Sequence, residues 1–355
     1  MSNLKQLLKD PLGAGGILVI LLAFFCALFA YALIPDNSPN ANQMNLALAG
    51  KKPGFSVSQL QVPFEEPQEV SFFTQLWQGK PLQHQVITIS THRQQGDSIF
   101  YRPYPQTQGE EKIIPVAAFG SNGFSADAHV QEKTFWLGTD RFGRDLLSRL
   151  LLGTRVSFSV GFVAVLISLL VGIPLGAMAA YYGGWLDKVI MWFINVVWSI
   201  PGLLLVIAIT LALGKGFWQV FVAIGFTMWV EVARVVRGQI LGVKEKEYVQ
   251  AAQVLGYSDF RILFKHILPN VTAPLIVISA ANFAAAILVE SGLSFLGIGA
   301  QPPMPSWGSM IKDHYAYLIV DKAHLAIMPG LAIMLLVLAF MMLGNALRDV
   351  LDVRA

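Results

Sequence analysis

Six long apolar runs limit the folds that this sequence can adopt. They cover residues 13–34, 156–181, 189–213, 217–240, 271–288 and 326–346. A helix needs about 20 residues to cross a bilayer, and in lipid every backbone polar group must be satisfied within the protein. Hydrophobic residues make up 55% of the chain and charged residues 13%, which is too apolar a composition for a soluble domain. The sequence therefore predicts an all-α polytopic membrane protein with six transmembrane helices.

Cations at the ends of the apolar runs predict the orientation of the chain. Lys5 and Lys9 precede the first run and place residues 1–12 in the cytoplasm, because cytoplasmic flanks are enriched in Lys and Arg. With six spans, residues 347–355 return to the same side. The formal net charge is only +3 and is not clustered outside the predicted loops, so we expect no nucleic-acid partner.

The first run has an alternative interpretation as a cleaved secretory signal. Ala30, Tyr31 and Ala32 have the small-x-small form of a cleavage site. The apolar core of the run is longer than the roughly 7–15 residues of a signal sequence, which favours a retained helix.

A polar stretch, residues 35–134, separates the first two runs and is predicted to be a small extracytoplasmic domain. Residues 85–90 alternate between polar and β-branched side chains and indicate a strand, with 98–101 as a second strand. His84, His92 and His129 raise the question of a metal site. No Cys or carboxylate stands at a ligand spacing from them, so we expect solvated histidines and no metal.

The prolines and glycines of the apolar runs predict bends and close contacts. Pro174 and Pro201 interrupt two runs, where each removes a backbone hydrogen bond. Gly172 and Gly176 have the spacing of close helix packing, although this signal is weak in so glycine-rich a chain.

The stretch 241–270, between the fourth and fifth runs, is charged and helix-forming. A helix is predicted over residues 248–255, and Ala251 and Ala252 give it a surface that a partner can approach closely. Gly256 suits the left-handed position that ends a helix. This pattern predicts a helix–turn–helix outside the membrane.

The second half of this stretch completes the pattern. Ser258 and Asp259 suit a helix start, and Pro269 is expected to end that second piece. The whole stretch resembles the cytoplasmic coupling loop of bacterial ABC importer permeases. It departs from their pattern at Gln250, where Glu is usual, and at His266, where Ile is usual. The resemblance implies that the residues coupling the chain to an ATPase are Tyr248, Ala251, Ala252, Gly256, Leu268 and Pro269.

Residues 135–155 carry leucines at helical spacing among Arg and Asp, which predicts an amphipathic helix at the membrane interface. The segment also resembles, nearly residue for residue, part of the C-type permease subunit of dipeptide and oligopeptide importers. The resemblance points to four candidate functional residues in this interfacial segment, namely Asp140, Gly143, Arg144 and Asp145.

The fifth run is expected to end at a carboxylate, and a stretch rich in Gly and Pro follows it. Such a sequence cannot be a lipid-exposed helix, so it is predicted to fold back into the protein or to cover the outer mouth of a pathway. A plain external loop is the alternative. The segment again resembles the same family, and its candidate residues for an outer gate are Glu290, Gly292, Phe295, Gly297 and Trp307.

The resemblance continues through residues 346–352 and extends in order over most of 135–355. It identifies the chain as a member of the C-type transmembrane permease subunits of the dipeptide, oligopeptide and nickel ABC importers, with six helices of the type I kind. It implies a bacterial inner-membrane protein that forms half of a translocation pathway for peptides or a related small solute. It also implies a heterodimer with a second permease, two ATPase subunits that bind ATP and Mg, and an extracytoplasmic substrate-binding protein.

An ion-gradient-driven secondary transporter is the alternative function. Glu231, Arg234 and Arg237 share one end of the fourth run, and an ion relay through Glu231 or Glu290 is conceivable because charge within a membrane is usually functional. Local pairing near the interface explains the same residues more simply, and the sequence has no internal repeat of the kind common in such transporters. The chain also lacks a phosphate-binding loop motif, so we expect no enzyme activity and no cofactor in this chain.

Overall fold

The computed structural model describes residues 2–64, 70–106, 108–120, 123–214 and 216–352. The helices of this part of the chain are Ser2–Lys9 (α1), Pro11–Leu28 (α2), Ala30–Leu33 (α3), Phe72–Gln78 (α4), Ala126–His129 (α5), Leu146–Tyr182 (α6), Gly184–Trp198 (α7), Gly202–Leu213 (α8), Phe217–Lys244 (α9), Glu247–Val254 (α10), Asp259–Arg261 (α11), Leu268–Phe295 (α12), Trp307–His314 (α13) and His324–Asp352 (α14). The strands are Phe55–Pro63 (β1), His84–Gln95 (β2), Ser98–Pro103 (β3), Lys112–Pro115 (β4) and Val130–Phe135 (β5).

Five helical stretches are long and apolar enough to cross a membrane. They are α2, α6, α9, the continuous stretch from α11 through α12, and α14. Helices α7 and α8 form a pair bent by 90°, which supplies a sixth span if the two are taken as one. Pro201 lies at this bend. Its ring and its missing N–H prevent the helix from continuing, which explains the break between α7 and α8. The predicted six spans thus correspond to five helices and one bent pair.

Helices α6 and α9 pack closely at the centre of the bundle. A Cβ atom placed on Gly176 would lie 2.4 Å from the carbonyl oxygen of Ala233, and one on Gly172 would lie 2.6 Å from Cβ of Val232. Neither glycine can therefore be replaced without separating the two helices. The weak Gly172–Gly176 signal in the sequence thus marks a true helix contact.

The segment between α3 and α6 contains a five-stranded antiparallel sheet with the strand order β4-β3-β2-β1-β5. Leu60 in β1 lies opposite Ile87 in β2 and Val130 in β5. One face of the sheet is apolar, because alternate residues of each strand point to the same side. This face forms its own small core with the segment that follows β4, and the buried members are Leu60, Val62, Ile89, Ile99, Tyr101 and Phe119.

The predicted amphipathic helix over 135–155 differs from the structure. Residues 136–145 form turns, and a single helix begins at Leu146 and continues through the second apolar run to Tyr182. Asp145 caps this helix by accepting a hydrogen bond of 2.8 Å from the backbone N–H of Ser148. The leucine spacing after residue 146 was therefore a genuine helix signal, but it belongs to the first turns of α6.

Candidate functional site

The loop between α9 and α12 begins with a short helix that the sequence located well. Helix α10 covers Glu247–Val254, and Gly256 follows it with φ of +73°. No atom lies within 4 Å of a Cβ built on Gly256, so the backbone conformation and not crowding requires glycine there. The expected left-handed turn at Gly256 is confirmed.

The two alanines of α10 face in opposite directions. Ala251 is exposed, whereas Ala252 is only 4% exposed and belongs to a buried cluster with Tyr181, Val236 and Ile267. The interpretation of Ala252 as a contact for a partner therefore needs correction, because its side chain already packs inside this chain. Its small size sets how closely α10 approaches the ends of α6 and α9.

Five apolar side chains of this loop remain exposed, three of them before the helical stretch that begins at Asp259 and two in the first turns of that stretch. Clustered exposed apolar groups often mark an interaction surface. The exposed fractions are 89% for Val254, 71% for Leu255 and 70% for Phe260. The rings of Phe260 and Phe264 lie 4.3 Å apart, one helical turn from each other. We name this set the loop surface, and its members are Tyr248, Val254, Leu255, Phe260 and Phe264.

Tyr248 is the one member of the loop surface among the residues that the sequence predicted to contact an ATPase. The i, i+4 spacing of Phe260 and Phe264 was the available signal for the other residues. Of the remaining candidates, Leu268 is half-buried and Pro269 is exposed at the start of α12.

Pro269 does not end the second piece of the loop, contrary to the sequence expectation. Residues Ile262–Ile267 form a π-helix, and α12 continues from it through Pro269. The wider turn accommodates a proline that cannot donate a backbone hydrogen bond. The side-chain amide of Asn270 donates a hydrogen bond of 2.7 Å to the carbonyl oxygen of His266, which satisfies a carbonyl group in the distorted turn.

The loop is tied to the end of α6 by two hydrogen bonds through one residue. The hydroxyl group of Tyr181 donates to Asp259 over 2.8 Å, and Nζ of Lys244 donates to the carbonyl oxygen of Tyr181 over 2.6 Å. The rings of Tyr257 and His266 stack at 5.9 Å across the turn. Movement of the loop must therefore move the end of α6 as well.

The charged residues of α9 make local contacts. Arg237 forms a two-point ion pair with Asp187 at 2.6 and 2.7 Å, and Arg234 donates to the side chain of Asn195 over 2.9 Å. Glu231 is exposed on the surface of this chain. These contacts tie α9 to α7 and agree with local pairing as the role of the two arginines.

The carboxylate expected at the end of the fifth span lies inside α12. Glu290 is almost fully buried, and the hydroxyl group of Ser294 donates to its Oε1 over 2.6 Å. The same hydroxyl oxygen accepts a hydrogen bond of 3.0 Å from the backbone N–H of Ala300. Glu290 thus supports the turn that follows α12.

The Gly- and Pro-rich segment after α12 folds back onto the bundle, as one of the sequence interpretations expected. Trp307 opens α13, is buried, and donates from its indole nitrogen to the carbonyl oxygen of Leu150 in α6 over 2.9 Å. Gly297 turns the chain with φ of +81°. Gly292 is half-buried and Phe295 is exposed, with its ring 6.1 Å from that of Tyr315. Trp307 therefore anchors the segment, while Phe295 lies on its outer surface.

The four candidates between residues 140 and 145 form a buried turn. Asp140 accepts hydrogen bonds from the backbone N–H groups of Phe142 and Arg144 at 2.8 and 2.9 Å, and it pairs with Nε of Arg144 at 2.6 Å. Gly143 has φ of +73°, and a Cβ atom there would lie 1.7 Å from the carbonyl oxygen of Asn45. These residues, together with Asp145, hold the segment around Asn42 and Asn45, which leads into β1. They do not form a surface at the membrane interface.

One histidine connects this turn to α13. His314 is buried, its Nε2 accepts a hydrogen bond of 3.3 Å from the backbone N–H of Arg141, and its Nδ1 lies 2.7 Å from the carbonyl oxygen of Met310. Both contacts require the neutral ring with its proton on Nδ1. Burial lowers the pKa of His314 from its ordinary value of 6.5, with smaller opposing effects of Asp140 and Asp313.

The fold and these segments define a multi-pass α-helical membrane protein with a structured loop between two spans. Residues 172–355 match the family described as binding-protein-dependent transport system inner membrane component. The chain belongs to this family and is a permease subunit of an ABC importer.

Similar proteins include two named permeases. The glutathione transport system permease protein GsiD of Pectobacterium atrosepticum is 43% identical over 217 residues, which are 61% of this chain and 72% of that protein. The dipeptide transport system permease protein DppC of Alkalihalophilus pseudofirmus is 42% identical over 217 residues, which are 61% of this chain and 71% of that protein. A solved structure of the inward-facing MetNI methionine ABC transporter has 17% identity and a TM-score of 0.49, and it covers 58% of this chain and 97% of that chain.

Proposed function

We propose that this permease subunit imports short peptides or a related small solute, and that the loop surface binds an ATPase subunit. The observation that carries the second part is the loop surface itself, in which Val254 and Leu255 are exposed between two spans and Phe260 is exposed in the first turn of the second. Exposed apolar groups clustered in this way favour a protein partner. The first part rests on the similarity to glutathione and dipeptide permeases.

The proposed assembly contains a second permease, two ATPase subunits that bind ATP and Mg, and an extracytoplasmic substrate-binding protein. In this arrangement the loop lies in the cytoplasm together with both termini, and the sheet domain of residues 35–134 lies outside. Lys244 and Lys246 next to α10 support this orientation, because cytoplasmic loops are enriched in cations.

Force transmission follows from the contacts of the loop. Helix α10 packs through Val249 and Ala252 on the cluster that contains the ends of α6 and α9, and Asp259 binds Tyr181. A displacement of the loop surface by a bound ATPase would therefore act on three helices at once. The candidates Ala251 and Gly256 lie on the exposed side of the loop and would contact the ATPase. Ala252, Leu268 and Pro269 would instead hold the loop in place against the membrane helices.

A co-purification experiment tests the ATPase contact. We expect Leu255→Asp and Phe260→Asp to remove the ATPase subunits from the purified complex, because each places a charge in an apolar interface. Ile319→Asp is the matched control, since Ile319 is 91% exposed but lies in the segment after α13. Retention of the ATPase subunits in both loop variants would refute the proposed contact.

Orientation has its own test. In a Cys26→Ser background, which removes the one native cysteine, Leu255→Cys and Phe73→Cys place single reactive thiols in the loop and in the sheet domain, and both positions are exposed. We expect a membrane-impermeant maleimide to label only the Phe73→Cys variant in sealed right-side-out vesicles. Labelling of Leu255→Cys without permeabilisation would contradict the proposed topology and indicate the opposite orientation.

A further inference from the structure

A polar cleft of about 560 Å³ lies between the sheet and the segments that connect it to the membrane helices. Its walls come from β1, β2 and β5 on one side and from residues 35–43 and 80–84 on the other. The volume falls in the range of ligand sites, roughly 300–1,000 Å³. The apolar core of the sheet lies on the opposite face, so the cleft is not part of that core.

Amide side chains dominate the sheet wall of the cleft. Gln59 and Gln61 point into it from β1, and Gln131 points into it from β5. Gln61 donates to the side chain of Gln131 over 3.0 Å. Gln59 is only 6% exposed, and its side-chain amide forms no hydrogen bond within the part of the chain that the structure describes. This amide has no protein partner and remains accessible from the cleft, so a ligand that offers both a donor and an acceptor can pair with it in place of water.

A second unsatisfied group lies on the same wall. His84 begins β2, and its Nδ1 is buried without a hydrogen-bond partner among the residues described. His84 and Gln59 come from neighbouring strands and both line the cleft. This nitrogen is closed off from solvent, so a ligand in the cleft can reach the unpaired amide of Gln59 but not Nδ1 of His84.

The charged side chains around the cleft differ in whether they already have partners within the protein. Lys133 lies 3.4 Å from the side-chain oxygen of Gln43 and lines a smaller cavity with the buried carboxyl groups of Asp36 and Asp145. Lys80 is half-buried, and its ammonium group has no partner in the described ranges. Glu132 borders the cleft, but its side chain lies on the other face of β5 together with that of Val130. One free ammonium group therefore accompanies the amides.

We propose that this cleft binds a short peptide by its carboxyl end. Its terminal carboxylate binds Lys80, and its peptide groups exchange hydrogen bonds with Gln59 and Gln61. Glutamine matches a peptide group because each amide offers both a donor and an acceptor. The binding chemistry belongs to this chain alone, whereas a role of the cleft in receiving the imported solute rests on the proposed function.

The test measures binding of trialanine to the full chain in lipid nanodiscs by equilibrium dialysis. We expect saturable binding by the wild type, at least about tenfold weaker binding by Lys80→Gln, and several-fold weaker binding by Gln59→Ala. Lys112→Gln is the matched control, because Lys112 is exposed on β4 at the far edge of the sheet and should leave affinity unchanged. Trialanine with an acetylated amino end and an amidated carboxyl end should bind about as weakly to the wild type as to Lys80→Gln.

Two outcomes would overturn the site: absence of saturable trialanine binding by the wild type at millimolar concentration, or equal affinity of the wild type and Lys80→Gln. An import assay of the reconstituted complex separates this failure from failure of the proposed function. Import of trialanine together with equal binding by Lys80→Gln would leave the function standing and remove the site. If binding depends on Lys80 but the complex imports no peptide, the site would stand and the proposed function would fall.

Discussion

The hydroxyl group of Tyr181, at the end of α6, donates a 2.8 Å hydrogen bond to Asp259 in the loop between α9 and α12. Tyr181 also accepts a hydrogen bond from Lys244 at the end of α9 through its carbonyl oxygen. One residue therefore joins a central helix of the bundle to both sides of the loop. In a permease driven by a separate ATPase, such a contact would carry movement from the loop into the membrane helices.

Tyr181→Phe should loosen this connection while preserving the fold. The ring remains packed in its buried cluster, and only one hydrogen bond is lost, at a cost of about 0.5–1.5 kcal/mol. We expect solute-stimulated ATP hydrolysis of the assembled complex to fall several-fold, with ATPase co-purification unchanged. Tyr182→Phe is the control, because Tyr182 is exposed and its ring lies next to that of Tyr181. Equal stimulation in the two variants would argue against transmission through Asp259.

Ala252→Leu should destabilise the isolated chain. Ala252 is packed between the loop and the ends of α6 and α9, and overpacking of such a site typically costs about 1–3 kcal/mol. Ala251→Leu adds the same volume on the exposed side of α10 and should leave stability nearly unchanged. Thermal unfolding of the two purified variants without ATPase subunits distinguishes them. Wild-type stability of Ala252→Leu would restore Ala252 as a surface contact.

The sequence predicted the features that local contacts decide, and it did not predict those that depend on contacts with distant parts of the chain. The helix of α10 and the turn at Gly256 follow from local propensity, and the Gly172–Gly176 contact follows from residue size. The side on which Ala252 lies could not be predicted, because α10 is too short for its pattern to show which face meets the bundle. Likewise, Asp140 and Arg144 were predicted to lie on an interfacial helix, because the loop that binds them, which includes Asn42 and Gly50, is distant in the sequence.

Gly143→Ala should be strongly destabilising. A Cβ atom would meet the carbonyl oxygen of Asn45 at 1.7 Å, and the residue has φ of +73°. The left-handed conformation costs about 1–2 kcal/mol for other residues, and relief of the clash must also move backbone. Gly120→Ala is the matched control, because Gly120 has φ of +81° but no atom within 4 Å of a built Cβ. A larger loss of thermal stability at Gly143 than at Gly120 isolates the contact with Asn45, and equal losses would contradict it.

His314 should make the stability of the segment that follows α12 depend on pH. Burial lowers its pKa in the folded protein, so the unfolded chain binds more protons below the ordinary value of 6.5. The contribution of the neutral ring is therefore fully present above pH 6.5 and is lost as the pH falls through the lowered pKa of the folded state. The slope is at most about 1.4 kcal/mol per pH unit for a single group.

The physical reason is the pair of contacts that protonation would break or distort. The ring of His314 accepts from the backbone N–H of Arg141, and a protonated ring cannot accept that hydrogen bond. His314→Gln keeps one acceptor without a titrating group, so its melting temperature should be lower than wild type at pH 7.5 and should depend less on pH between 7.5 and 5.5. Thermal unfolding of both proteins in the same detergent gives the two profiles. Parallel profiles over this range would mean that His314 does not titrate with unfolding, and the hydrogen bond to Arg141 would then have to be assigned to a different ring state.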